Sequence, residues 1–239
     1  MTTLVACSHG TRSPAGRAVI ARIRAALADA VPGVEVREAY VDVEQPEVAG
    51  VVAEAVAHGP VVVLPLLLST GFHTSVDIAA AVAPHPGAAA ADPLGPHEQL
   101  VRALRDRLAA VSGGDAGHRP GDHVVLAAAG SSDPAAARAV ERMRDLLAAR
   151  LPAPVTVGYG AGCAPAITEA VASARAAGAR RVIAASYVLA PGHFASLVEG
   201  AGADLVSAPL GDHPAVIAVA AARFREGAAA GRIPQGIVP

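Results

Sequence analysis

The sequence contains no lysine, so all 19 of its fixed side-chain cations are arginines. Arginine presents a planar donor fork that matches carboxylates, where lysine offers a point charge. Charge of either sign is sparse. Charged residues make up 17% of the 239-residue chain and the formal net charge is −2. That balance argues against a nucleic-acid partner held by phosphate neutralisation. Cysteine is sparser still. Cys7 and Cys163 sit among small or apolar neighbours, with no partner at zinc-site or iron–sulfur spacing. Reduced, buried thiols are expected, which suits the cytoplasm. The opening MTTLVACSHG has neither a basic segment nor a long apolar one, so no secretory signal is expected. No run approaches about 18 uninterrupted apolar residues, and no membrane span is expected. The phosphate-loop patterns GxGxxG and GxxxxGK(S/T) are missing from the first strand–helix turn, which disfavours a nucleotide enzyme.

What the chain does have is apolar bulk, at 53%, with glycine and proline spaced along it. This describes a compact protein long enough for one large domain or two small ones. The strongest organisational signal is an internal repeat. LVACSHGTRSP from Leu4 returns as VLAAAGSSDP from Val125, with Gly10 matching Gly130. VREAYVDVEQPE returns as VTVGYGAGCAPA, with Tyr40 matching Tyr159 and Pro46 matching Pro165. VVVLPLLLSTGFH returns as VIAASYVLAPGHF, with Gly71 matching Gly192. DPLGPHEQLVRAL returns as SAPLGDHPAVIAV, with His97 matching His213. The landmarks keep their order. The chain therefore divides into a first repeat at 1–111, a linker at 112–123 rich in Gly, Asp and Pro, and a second repeat at 124–239. The tail after Glu226 lacks helical periodicity and reads as loose.

Each repeat alternates short β-branched runs with longer amphipathic stretches. In the first, Leu4–Cys7, Val34–Tyr40, Val61–Leu67 and Ala88–Ala91 are predicted strands. Ser13–Val31, Pro46–His58 and a stretch around His97–Leu108 are predicted helices, the second opening on proline. This alternation implies an α/β fold of two tandem repeats, each a four-stranded parallel sheet with helices on both faces. Ligands of such sheets bind outside the carboxyl ends of the strands. The loops Ser8–Ser13, Val41–Pro46 and Ser69–Thr74 should therefore open on one edge.

Those loops carry the polar clusters of the first repeat: SHGTRS with His9 and Arg12, VDVEQP with Asp42 and Glu44, and STGFHTSVD with His73 and Asp77. Two imidazoles and one or two carboxylates on one edge make a plausible divalent-metal site, and imidazole suits iron, cobalt and zinc. Insertion of a metal into a tetrapyrrole needs a base for two pyrrole N–H protons and a hold on the ion. Histidine can do both, and a nearby carboxylate can relay protons outward. The second repeat lacks this chemistry. Ala129 stands at the place of His9, Ser132 at that of Arg12, Ala161 at that of Asp42, Cys163 at that of Glu44 and Phe194 at that of His73. Only His193 is close, one position out of register. A single active site walled by the second repeat would look like this, and such a wall suits a large, flat, partly apolar ligand.

SHGTR after the first strand, YVDVEQP after the second and PLLLSTGFHTSVDI after the third resemble the sirohydrochlorin chelatases, a class II chelatase family. The duplicated length is similar to the long, fused form, whose short relatives pair two copies. The resemblance implies insertion of Fe2+ or Co2+, a substrate and not a permanent cofactor, into sirohydrochlorin. It carries the catalytic and metal-holding roles onto His9 and His73, leaves Asp42 and Glu44 as the acids, and implies a monomer with pseudo-two-fold repeats. Family members often place a further acid just before the proline; here that residue is Gln45. The lack of a cysteine cluster implies no iron–sulfur centre.

Other readings stand beside these. Asp42 and Glu44 alternate along the chain and share a face if it stays extended. Solvated loop carboxylates are their plainer role. Arg12 can hold a substrate carboxylate or pair locally. Ser8, Gly71 and His193 are candidate substrate contacts. Asp77 is expected to cap a helix. His97 and His213, present in both copies, are expected to be structural. His58, His85, His118 and His123 are expected at helix ends or in the linker. A non-catalytic tetrapyrrole or metal carrier is the rival function. A histidine phosphatase is disfavoured because Ser8, not arginine, precedes His9.

Overall fold

The computed structural model describes residues 2–69, 71–113 and 118–230, without the side chains at 72–75. The first repeat runs β1 (Thr3–Ser8), α1 (Pro14–Ala30), β2 (Glu35–Tyr40), α2 (Val48–Ala55), β3 (Val61–Pro65), α3 (Phe72–Val82), β4 (Ala88–Ala90) and α4 (Glu98–Ser112). The second runs β5 (Asp122–Ala128), α5 (Pro134–Ala148), β6 (Val155–Tyr159), α6 (Ile167–Ala176), β7 (Arg181–Tyr187), α7 (His193–Glu199), β8 (Leu205–Val206) and α8 (Pro214–Ala230). Two four-stranded parallel sheets result, ordered β2-β1-β3-β4 and β6-β5-β7-β8. Register aligns Ser8 with Tyr40 and Cys7 with Pro65, so the three loops after β1, β2 and β3 leave one edge together.

Local chemistry explains the helices that frame this edge. In α1, Ser13 Oγ accepts from Gly16 N at 3.1 Å, and Pro14 occupies the first turn, where its missing N–H loses nothing. Val19, Ile23 and Leu27 follow at helical spacing and are buried. In the second repeat Asp133 and Pro134 do the same for α5.

Strand β1 is buried along its whole length and divides its side chains between two interiors. Val5 and Cys7 face an outer core with α2 and α3, while Leu4 and Ala6 face an inner core. That inner core is continuous with Val124, Leu126 and Ala128 of β5. Each sheet thus has helices on both faces, and the two sheets share one interior.

The closing helices are exchanged. Helix α4, from the first repeat, lies on β7 and β8, and α8, from the second, lies on β3 and β4. On α8, a Cβ added at Gly227 would stand 3.0 Å from both Ala91 and Val62. Arg223 Nε donates to the Pro93 carbonyl at 3.0 Å, and Arg107 of α4 donates to the Leu210 carbonyl at 2.8 Å.

Several expectations change. Helix α2 starts at Val48, not Pro46, because the Pro46 carbonyl is turned back to accept from Tyr40 N at 3.0 Å. Pro165 and Tyr159 repeat that bond at 2.9 Å. Asp77 lies inside α3 and is exposed, so it caps nothing. His123 belongs to β5 and meets Thr156 Oγ1 at 3.0 Å. Helix α8 continues past Glu226 to Ala230; the tail beyond it lies outside the described residues. His97 and His213 are structural, as expected: each Nδ1 accepts from the backbone two residues on, at 3.1 Å.

The exchange predicts one cooperative unfolding. Leu104→Ala on α4, in the shared core, should lower stability by about 2–5 kcal/mol. Because Tyr40 reports on the first sheet and Tyr159 and Tyr187 on the second, urea melts followed by tyrosine fluorescence and far-UV dichroism should shift together. Two separated transitions, only one of which moves, would refute the exchange.

Candidate functional site

His9 sits just past β1, exposed, in a loop pinned from three directions. Gly10 has φ +93°, and a Cβ there would collide with the Asp42 carbonyl, so only glycine fits. Asp42 N donates to the His9 carbonyl at 3.1 Å. Glu44 Oε1 accepts from Thr11 N at 2.8 Å, and its Oε2 pairs with Arg17 Nε at 2.8 Å. Arg17 Nε also reaches the Thr11 carbonyl at 3.0 Å. Glu44 is therefore a clamp between the loop after β2 and the loop that carries His9.

The stretch from Asp42 to Glu44 is not extended, which corrects the expectation that the two carboxylates share a face. Glu44 N donates back to the Asp42 carbonyl at 2.6 Å, closing a γ-turn about Val43, whose φ is +63°. The reversal sends Glu44 inward, where its side chain is 12% exposed, and leaves Asp42 exposed with Oδ1 accepting from Val43 N at 2.7 Å.

The third loop leaves β3 through Leu66, whose N–H bonds to the Cys7 carbonyl at 2.7 Å. Leu68 is held from the other repeat: Tyr187, buried at the end of β7, donates its hydroxyl to the Leu68 carbonyl at 3.2 Å. Burial pushes that hydroxyl's pKa up and keeps it a donor. Gly71, half-buried, precedes α3, and His73 is the second residue of that helix. The His73 ring, and hence its distance from His9, lies outside the described residues.

A cleft of about 480 Å³ opens where these loops face the second repeat. One wall carries Ser8, His9, Arg12 and Val43; the other runs from Tyr187 to Phe194, with Ala128 and Ala129 behind it. Leu66, Leu67, Leu68 and Ile20 make the floor apolar. Ser8 is buried, whereas His9, Arg12 and His193 are exposed at the cleft. The structure thus brings His9, Ser8 and Arg12 into one cavity with His193 of the opposite repeat. Asp42 and Glu44 stand behind the first wall, outside the lining. Gly16 fixes the approach of the two walls: a Cβ there would lie 2.5 Å from the Pro191 carbonyl. Cys7, beneath the site, has its thiol pKa raised to about 12 by burial; Cys7 and Cys163 are both free, but only Cys7 is buried, Cys163 being partly exposed where the sequence leads one to expect a buried thiol. Sequence reasoning missed Val43 and Tyr187. The signal for Val43 was in the repeat, where Gly162 occupies the matching place.

Two parallel α/β lobes that share a core and close on one largely apolar cleft, with most of its polar side chains on the first lobe, define a two-lobed α/β protein of tandem repeats. The chain belongs to the CbiX family, whose model matches residues 3–111 and again 123–227. Its fold is that of solved chelatases. "SirB from Bacillus subtilis with Fe3+" superposes with a TM-score of 0.75 at 24% identity, covering 95% of this chain and 96% of that one. The sirohydrochlorin chelatase SirB from Bacillus subtilis subspecies spizizenii in complex with cobalt gives 0.74 at 21% identity, over 95% of each chain. CbiX, described as the terminal enzyme of siroheme biosynthesis in denitrifying bacteria, gives 0.67 at 22%, over 95% of this chain and 99% of that one. No curated protein matches the chain in sequence.

The clamp makes a graded prediction. Glu44→Ala leaves Thr11 N without its acceptor and should cost about 1–3 kcal/mol in urea unfolding. Glu44→Gln keeps an acceptor for Thr11 and loses only the pair to Arg17, itself 52% exposed, so about 0–1 kcal/mol is expected. Equal losses in the two variants would count against the clamp.

Proposed function

We propose that this protein is a sirohydrochlorin chelatase that inserts a divalent metal ion, Fe2+ or Co2+, into the macrocycle between its two lobes. The observation that carries this is the asymmetry of the cleft. His9 projects from one wall, its place in the other wall is Ala129, and the floor between them is apolar. A flat conjugated ring would rest on the apolar floor with one face toward His9.

The chemistry balances simply: the ion enters as M2+ and two pyrrole N–H protons leave. His9, just past β1, and His73, in the first turn of the helix that follows β3, are the bases and transient ligands. Neutral imidazole suits either ion, and it can take the released proton once the metal moves to the ring. Asp42, exposed and joined to the His9 loop through its backbone, is the candidate to pass protons to water. Glu44 holds the His9 loop, and this work commits both its oxygens. Arg12, with no described partner at the cleft mouth, is placed to take a carboxylate of the macrocycle. Ser8, Gly71 and His193 complete the substrate contacts. Neither metal is favoured by these residues, and the two solved SirB structures carry one each, Fe3+ and cobalt. The free thiols suit a reducing compartment, and we place the enzyme in the cytoplasm as a monomer whose second repeat does the work of a partner copy.

The test is anaerobic insertion followed by the absorbance change of the ring, with Fe2+ and Co2+ compared in parallel. His9→Ala and His73→Ala should each slow insertion by about 10²–10⁴-fold, while metal-free sirohydrochlorin still binds. A protein that binds the ring tightly yet inserts neither metal faster than solution would be a carrier, and the proposal would fail.

A further inference from the structure

The turn at Val43 is held in a conformation that valine disfavours. A β-branched side chain at φ +63° crowds its own backbone, and the left-handed region is ordinarily left to glycine or asparagine. Val43 is the one non-glycine residue with positive φ among the described residues. Its side chain is also 45% exposed, one of three exposed large apolar side chains there, with Val76 and Leu197. Strain and apolar exposure both work against the folded state.

Nothing in the turn itself requires the isopropyl group. The bonds that close it are made by the Val43 N–H, the Glu44 N–H and the oxygens of Asp42. The second repeat makes the matching reversal with Gly162, at φ +78°. There a Cβ would lie 2.6 Å from the Ser131 backbone, so that loop closes against its neighbour. In the first repeat the matching space is open, and Val43 lines the cleft beside His9 and Gly10.

We propose that Val43 is a specificity-determining contact, an apolar prop against the face or edge of the planar macrocycle, kept despite its strain because the ligand covers it. The inference rests on the reading of this cleft as a sirohydrochlorin site and adds the residue that seats the ring beside His9. A ring lacking contact at this point would still meet the histidines but would sit less firmly, so binding should suffer more than the chemical step.

Full-length wild type, Val43→Gly and Val43→Leu separate the possibilities. Each is measured for thermal midpoint, for titration with metal-free sirohydrochlorin, and for KM and kcat of metal insertion. Val43→Gly should keep its midpoint or gain about 1–4 °C, as strain is released. It should weaken ring binding and raise KM by about 5–20-fold, with kcat moving less. Val43→Leu, which restores an apolar side chain, should bring affinity back to within about 3-fold of wild type. This opposition of stability and affinity is what a purely structural residue would not produce. A Val43→Gly protein that binds the ring as wild type does overturns the inference, as does one that loses midpoint, affinity and kcat together. If wild type itself neither binds the ring nor inserts metal, the functional reading fails first. If wild type inserts metal and Val43→Gly is indifferent, this inference alone fails.

Discussion

The exchange of closing helices is the constraint on which the site depends. Were α4 to lie on its own sheet, the two repeats would be separate lobes joined by one connection, free to move relative to each other. With α4 on β7 and β8, and α8 on β3 and β4, the inner faces of both sheets become one apolar interior. Burial of that interior fixes the angle at which the two strand-end edges face each other. A shared interior holds the lobes that frame the cleft, and with them the wall that carries His9. The contact of Gly16 with the Pro191 carbonyl and the bond from Tyr187 to Leu68 then set the spacing of the walls locally.

The repeats separate what the fold needs from what the chemistry needs. Gly10 and Gly130 both lie under the carbonyl of the second loop, at Asp42 and Ala161. Pro46 and Pro165 both accept from the tyrosine that ends the second strand, and His97 and His213 both cap a closing helix. These features recur because each lobe must make the same turns. The imidazole of His9 and the carboxylates of Asp42 and Glu44 do not recur, and among the described residues these side chains bond the backbone only where Glu44 accepts from Thr11 N and Asp42 from Val43 N. A residue present once, at a place where the backbone is present twice, is there for something outside the backbone.

This also marks what was legible in the chain. The strands of the first repeat, the helix that begins near Ser13 and the common edge of the three loops follow from local chemistry, and sequence periodicity reports local chemistry. The γ-turn at Val43 was not legible in its own segment, because a valine between two acids reads as extended strand; only Gly162 at the matching place of the second repeat signals it. The local bonds from Glu44 N and Val43 N to Asp42 close the turn, and the Gly10 loop held against Asp42 fixes it in place. Asp77 misled for a related reason: a polar residue before an apolar run resembles a cap whether or not the helix has already begun. The helix exchange left no trace in periodicity either, since α4 would show the same apolar face on either sheet.

A cleft polar on one side fits a reaction in which everything mobile must pass by one face of a flat ring. If the second wall kept an imidazole in the place of His9, an ion could be held on either side of the macrocycle, and the site would stabilise the free metal as well as its delivery. With Ala129 in the place of His9, the second wall has no imidazole at that point, and under the proposed reading the far face of the ring would meet mostly apolar side chains. Apart from His193, that wall would offer the ion no competing imidazole. On the proposed reading, metal entry and proton exit then lie on the face with His9, near the exposed Asp42, where water could carry protons away. His193 is the one polar exception on the far wall, and its ring stands against Phe194, with centroids 5.3 Å apart. At the exposed rim it can meet a substituent at the edge of the ring without supplying a second ligand beneath its centre. Loss of chemistry from the second repeat is, on this view, as much a part of the site as its presence in the first.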